Sequence, residues 1–77
     1  MTKLKMMKTL LDNFEQHELN AMHEIKLANR SITIRAKASP TISQIIAKNG
    51  LKLQGSPLGF LHGKLYIDDI EIKWLVE

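Results

Sequence analysis

Apolar side chains recur along the first third of the chain at Leu4, Met7, Leu11, Phe14, Ala21, Ile25 and Ala28, largely three and four residues apart. That spacing follows one face of an α-helix. Leu10, Leu19 and Met22 widen the stripe, and residues 3–29 contain neither Pro nor Gly. They are rich in Leu, Met, Lys, Glu and Ala, all good helix formers apart from the interruptions. The pattern predicts a long N-terminal helix over 3–29, either unbroken or broken between 13 and 20. Glu18 stands where the next large apolar residue belongs, and Asn20 can cap a second helix. A helix of about 27 residues would span about 40 Å, more than so small a chain can cover by itself. Both forms therefore point to protein–protein contact through this helix, for example in a homodimer.

The period then changes. Ile32, Ile34 and Ala36 alternate with Thr33, Arg35 and Lys37, which predicts a strand over 31–37. Ser39-Pro40 opens a helix, because Pro suits the first helical position and holds Ser39 in the extended conformation of a cap. Ile42, Ile45 and Ile46 form its apolar stripe, and Asn49-Gly50 closes it, with glycine free to turn left-handed. Residues 51–54 predict a short strand, and Gly55-Ser56-Pro57 a turn. Residues 60–77 predict a β-hairpin about Asp68-Asp69. A two-residue loop sets Ile67 against Ile70, Leu65 against Ile72, Gly63 against Trp74 and Leu61 against Val76 on one apolar side. The other side sets Tyr66 against Glu71, Lys64 against Lys73 and His62 against Leu75. Two features oppose this register: lysines would face one another, and Asp-Asp is a poorer turn than Asn-Gly.

The elements add up to an α+β fold: helix, strand, short helix, C-terminal antiparallel hairpin. By fold-level analogy the order matches a winged-helix variant with the hairpin as wing. Two features depart from it. The region after Gly50, where a recognition helix belongs, holds three glycines and a proline, and Ala47 and Gly50 are three apart rather than four.

Seventy-seven residues make one domain, 1–77, with a small core and no cysteine to staple it. The absence of cysteine removes thiolate catalysis, Cys-type zinc sites and redox switching, and fits a cytoplasmic protein. No run of about 18 apolar residues exists to span a membrane. Residues 1–11 lack the continuous apolar region and small-residue cleavage site of a signal peptide.

Candidate chemistry is thin. His17-Glu18 and His23-Glu24 suggest a metal-binding helix, but six residues turn the second ring by roughly 240°, so the pair diverges. Ser31, Ser39, Ser43 and Ser56 lie at a strand start, a cap, a helix and a turn, without a nucleophile elbow. Asp68 and Asp69 sit at an exposed tip, which neither desolvates a carboxylate nor holds a substrate. The four glycines match no phosphate loop or dinucleotide fingerprint. The reading is of a non-enzyme without cofactor or metal.

Charge changes the picture most. The net charge is +3, and it is segregated. Between Glu24 and Asp68 there is no acidic residue and there are seven basic ones, while all eight carboxylates lie outside that span. Such a basic middle suits an anionic partner. Arg35, Lys37, Lys48, Lys52 and Lys64 are the candidate contacts, with Arg35 foremost because guanidinium matches phosphate or a guanine edge. Two functions follow. One is a nucleic-acid-binding regulator; the other is an inhibitor or adaptor that sets the same residues against an acidic protein surface.

Overall fold

The computed structural model describes residues 2–77. Three helices lie against one face of a five-stranded sheet, in the chain order α1 (Lys3–Asn13), α2 (Gln16–Asn20), β1 (Met22–Ala28), β2 (Ser31–Ala36), α3 (Pro40–Asn49), β3 (Gln54–Gly55), β4 (Leu61–Ile67) and β5 (Ile70–Val76). The fold is α+β. Across the sheet the strands run β1-β2-β5-β4-β3. β1 and β2 form one antiparallel hairpin, β4 and β5 another, and β2 lies parallel to β5 at the seam. Parallel neighbours need a crossover, here residues 37–69 with α3 near its start.

The N-terminal third departs from its predicted helix. Helix ends at Asn13, restarts for five residues, and gives way to strand at Met22. Glu18 accounts for the restart: its carboxylate accepts the backbone N–H of Glu15 at 2.9 Å, capping α2 from within. Residues 22–28 have helical composition, yet as strand they pair with β2 through the Asn29-Arg30 turn, in which Arg30 takes φ 59°. Only Met22 of the strand is buried, so it is the ladder of backbone bonds to β2 that outweighs the weak helix propensity of so short a segment.

The stripe on α1 is also corrected. Met6, Leu10 and Phe14 face the core, whereas Leu4, Met7 and Leu11 are 77%, 49% and 63% exposed. The helix therefore has two apolar stripes, and only one is covered within the chain.

α3 begins and ends as its caps require. The Ile42 N–H donates to Ser39 Oγ at 3.2 Å, and Gly50 at φ 63° lets the Leu51 N–H reach the Ile46 carbonyl at 3.0 Å. No helix follows Gly50; residues 51–53 run irregularly to β3, which is shorter than the predicted 51–54 strand. The described residues therefore contain no recognition helix of the winged-helix kind. The β4–β5 register pairs Ile67 with Ile70, Leu65 with Ile72, Gly63 with Trp74 and Lys64 with Lys73. Asp68 and Asp69 both take positive φ, 50° and 65°, so the two-residue loop is of the mirror-image type that follows strand twist.

The core lies between the sheet and the helices. Ile32, Ile34, Ile70, Ile72 and Trp74 are fully buried, and Phe14 meets the Trp74 ring edge-on with centroids 5.8 Å apart. The register sets Gly63 opposite Trp74, and residues 51–53 cross over it. A Cβ there would lie 2.8 Å from Leu53 Cδ2 and 3.0 Å from the Lys52 carbonyl oxygen.

Candidate functional site

The second face of the sheet carries no helix, so its side chains meet solvent. The strand registers arrange them in rows, with neighbouring strands about 4.8 Å apart. One row runs Lys26, Thr33, Lys73, Lys64 across β1, β2, β5 and β4. The next runs Glu24, Arg35, Leu75, His62, Gln54 and reaches β3. A third runs Ala28, Ser31, Glu71, Tyr66.

This face holds most of the sheet's cations, and most of them have carboxylate partners. The Arg35 guanidinium donates to Glu77 Oε1 at 2.8 Å and lies 3.8 Å from Glu24. Lys26 lies 3.3 Å from Glu24, and Lys64 lies 3.3 Å from Glu71. The hydrogen bond from Arg35, and then its charge, hold the Glu77 carboxyl below the usual carboxylate range; the same bond, and then the negative charge of Glu77, raise Arg35. These groups are about half exposed, so water screens them. Lys73 has no carboxylate within 4.0 Å among the described residues.

Lys64 and Lys73 are direct cross-strand neighbours. The two-residue loop makes Ile67 and Ile70 a hydrogen-bonded pair, and alternation from there makes Lys64 and Lys73 a non-hydrogen-bonded pair, in which side chains approach most closely. Beside them is a shallow pocket of about 290 Å³, bordered by Ser56, Phe60, His62, Lys64, Lys73 and Leu75. Phe60 and Leu75 also border the neighbouring hollow over Thr33 and Arg35. Tyr66 stands at the end of the face and is 66% exposed. The face thus combines paired ammonium groups with aromatic rings, which suits an anion attached to a planar or apolar group.

The five residues expected from the sequence are divided by the fold. Arg35 and Lys64 are on the open face. Lys37 follows β2, close enough to Glu77 to help hold its carboxyl down. Lys52 joins Lys64 and His62 around a hollow at the β3 edge. Lys48 is apart from them on α3 in the helix layer, 3.8 Å from Glu18. Lys26 and Lys73 complete the row. Lys26 was hidden by the helical reading of 22–28, whereas Lys73 was legible in the alternation that sets it opposite Lys64.

The two histidines belong to different elements, His17 to α2 and His23 to the bulge that opens β1, so helical spacing does not relate them. No group of three or more His, Asp or Glu among the described residues is placed to hold a metal ion, and none of the described helices is long and apolar enough to cross a membrane. Comparison with known protein families, curated proteins and solved structures finds no match to this chain.

Proposed function

We propose that this chain is a small non-enzymatic binding domain that takes single-stranded nucleic acid on the open face of its sheet. The observation that carries the reading is the Lys64–Lys73 pair beside Phe60. Like charges directly opposite one another weaken a sheet, and an anion between them relieves that cost. Lys26 and Arg35 extend the cationic surface, and Phe60 and Tyr66 offer rings on which bases stack. The broad face of a five-stranded sheet does not enter the major groove as a single helix does, which favours a single strand over a duplex.

A second reading rests on the interleaved carboxylates. Glu24, Glu71 and Glu77 make the face mixed in sign. A patterned face of this kind also suits a protein surface, as an inhibitor or adaptor would use.

Fluorescence anisotropy with labelled single-stranded and duplex oligonucleotides, at several salt concentrations, separates the two. The first reading expects single strands to bind better than duplex, with affinity falling as salt rises. Replacing both Lys64 and Lys73 by Ala then reduces the slope of log affinity against log salt by about 1.4. Absence of binding at low salt overturns it.

A further inference from the structure

We infer that β1 is the interface of a twofold homodimer, in which the strand pairs antiparallel with β1 of a second copy about Ile25. The sheet has two edges, and they differ. At one edge β3 offers two residues and covers only the start of β4, so the remainder is a short stretch from 63 to 67 that carries Lys64; at the other, β1 offers seven. The pair Ala28–Ser31 closes a two-residue loop and is therefore hydrogen-bonded. Alternation then commits the backbone of Lys26 and Glu24 to β2 and turns the N–H and C=O of Ile25 and Leu27 away from the sheet. No hydrogen bond from the described residues outside that ladder reaches those groups.

An apolar groove of about 300 Å³ runs beside this edge, lined by Met7, Leu10, Leu11, Leu19, Ile25 and Leu27. It is the uncovered stripe of α1 continued onto the strand. A twofold axis normal to the sheet at Ile25 brings this groove against its own copy, with both α1 helices on the same side. Large exposed apolar surface of this kind marks an interaction site.

The occupant is identified by charge. A twofold contact must be self-complementary. Centred on Ile25, antiparallel pairing sets Glu24 opposite Lys26 of the second copy, and Lys26 opposite Glu24 of the second copy. Centring on Glu24 or on Lys26 sets like charges together; centring on Leu27 sets Lys26 opposite Ala28 and Glu24 opposite Arg30, which lies in the turn beyond the strand. Glu24 also has an unmet need. Its Oε1 is withdrawn from solvent and accepts no well-formed hydrogen bond, although the Lys26 ammonium of its own strand lies 3.3 Å away. Lys26 of the second copy supplies a donor from the other side. The assembly is a ten-stranded sheet whose two open faces become continuous. It does not depend on what that open face binds.

Sedimentation equilibrium on the purified chain and on charge-reversed variants tests the proposal, with circular dichroism confirming that each variant is folded. The wild type is expected to dimerise. Glu24→Lys and Lys26→Glu each set two like-charge pairs across the axis and are expected to raise the dissociation constant by more than about tenfold. The double variant E24K/K26E restores opposite charges and is expected to restore the dimer. Leu11→Glu, on the exposed stripe, is expected to yield a folded monomer. A wild type that stays monomeric up to about 1 mM, the weak end of specific affinities, overturns the proposal and leaves the edge to a strand of another protein. A dimer that tolerates both single reversals, or one that the double variant does not recover, overturns it as well.

Discussion

On its helix-covered face, β5 presents Ile70, Ile72, Trp74 and Val76, all sealed from solvent; on the other face the same strand presents Glu71, Lys73 and Leu75. β2 divides likewise into Ile32, Ile34 and Ala36 against Thr33 and Arg35. The covered face is governed by packing: each side chain has fixed neighbours, and a change of one methyl is felt. The open face is governed by screened charge, where a substitution moves the fold little and the surface potential a great deal. Packing and surface charge are thus separated by a single residue step along β2 and β5. Variants on the two faces should fall into two classes, and the following experiments try to mix them.

Trp74→Ala should have the largest effect. It removes the biggest side chain of the core together with its edge-on contact to Phe14. A loss of roughly 3–5 kcal/mol is expected in chemical denaturation, comparable to the whole stability of so small a domain. Trp74→Phe should cost less, because it also deletes a buried indole N–H that has no partner among the described residues. Equal losses for the two variants would argue against a tightly packed site there.

Gly63→Ala comes next. The added methyl meets Leu53 and the Lys52 carbonyl, and the backbone atom cannot swing aside as a side-chain terminus can. Overpacking of this kind costs roughly 1–3 kcal/mol, measurable as a lower denaturation midpoint. A neutral result would show that residues 51–53 are not pressed against β4.

Lys73→Glu is the sharpest test of the separation, because its two effects have opposite signs. Facing Lys64, a carboxylate turns a repulsive cross-strand pair into an attractive one, and stability should rise by roughly 0.2–1 kcal/mol. Affinity for a single-stranded oligonucleotide should fall in the same protein. A variant that loses stability and binding together would place Lys73 among the residues that hold the fold.

The smallest effect concerns pH. Arg35 holds the Glu77 carboxyl below its ordinary value, so the folded state binds this proton less readily than the unfolded chain. The contribution is therefore fully present above the ordinary carboxylate range and is lost as pH falls through the depressed folded value. Comparing wild type with Glu77→Gln by urea denaturation should show a small constant difference from neutral pH to about pH 5, closing on further acidification. A difference that persists in acid would assign the effect of Glu77 to something other than its charge.

The parts of the fold most legible in the sequence were those closed by short-range rules. α3 is bounded by Ser39-Pro40 and Gly50, and both caps act through bonds spanning a few residues. The β4–β5 register follows from a two-residue loop plus period-two alternation, even though it brings two lysines together. Residues 3–29 were less legible for a physical reason. Helical composition continues through Met22–Ala28, and the preference of seven residues is small beside the ladder of backbone bonds that β2 offers. The stripe Leu4, Met7, Leu11 and Phe14, flanked by Leu10, was visible, but no local signal told that Phe14 and Leu10 would turn inward together with Met6 while Leu4, Met7 and Leu11 stay exposed. Of the open face, Arg35 and Lys64 could be found by alternation, whereas Lys26 needed β1 to be a strand and Phe60 needed the loop before β4 to fold over Leu75.

The sequence by itself determined the α+β class, the caps of α3, the alternation of β2, β4 and β5, and an excess of basic residues in the middle of the chain. The tertiary structure decided that 22–28 is an edge strand, that β2 lies parallel to β5, and that the basic residues divide between an open face and the helix layer. Caps, turns and alternation are settled by atoms within one or two turns of each other. Strand order and the choice between two apolar stripes depend on contacts between residues far apart in the chain, for which no local pattern stands proxy.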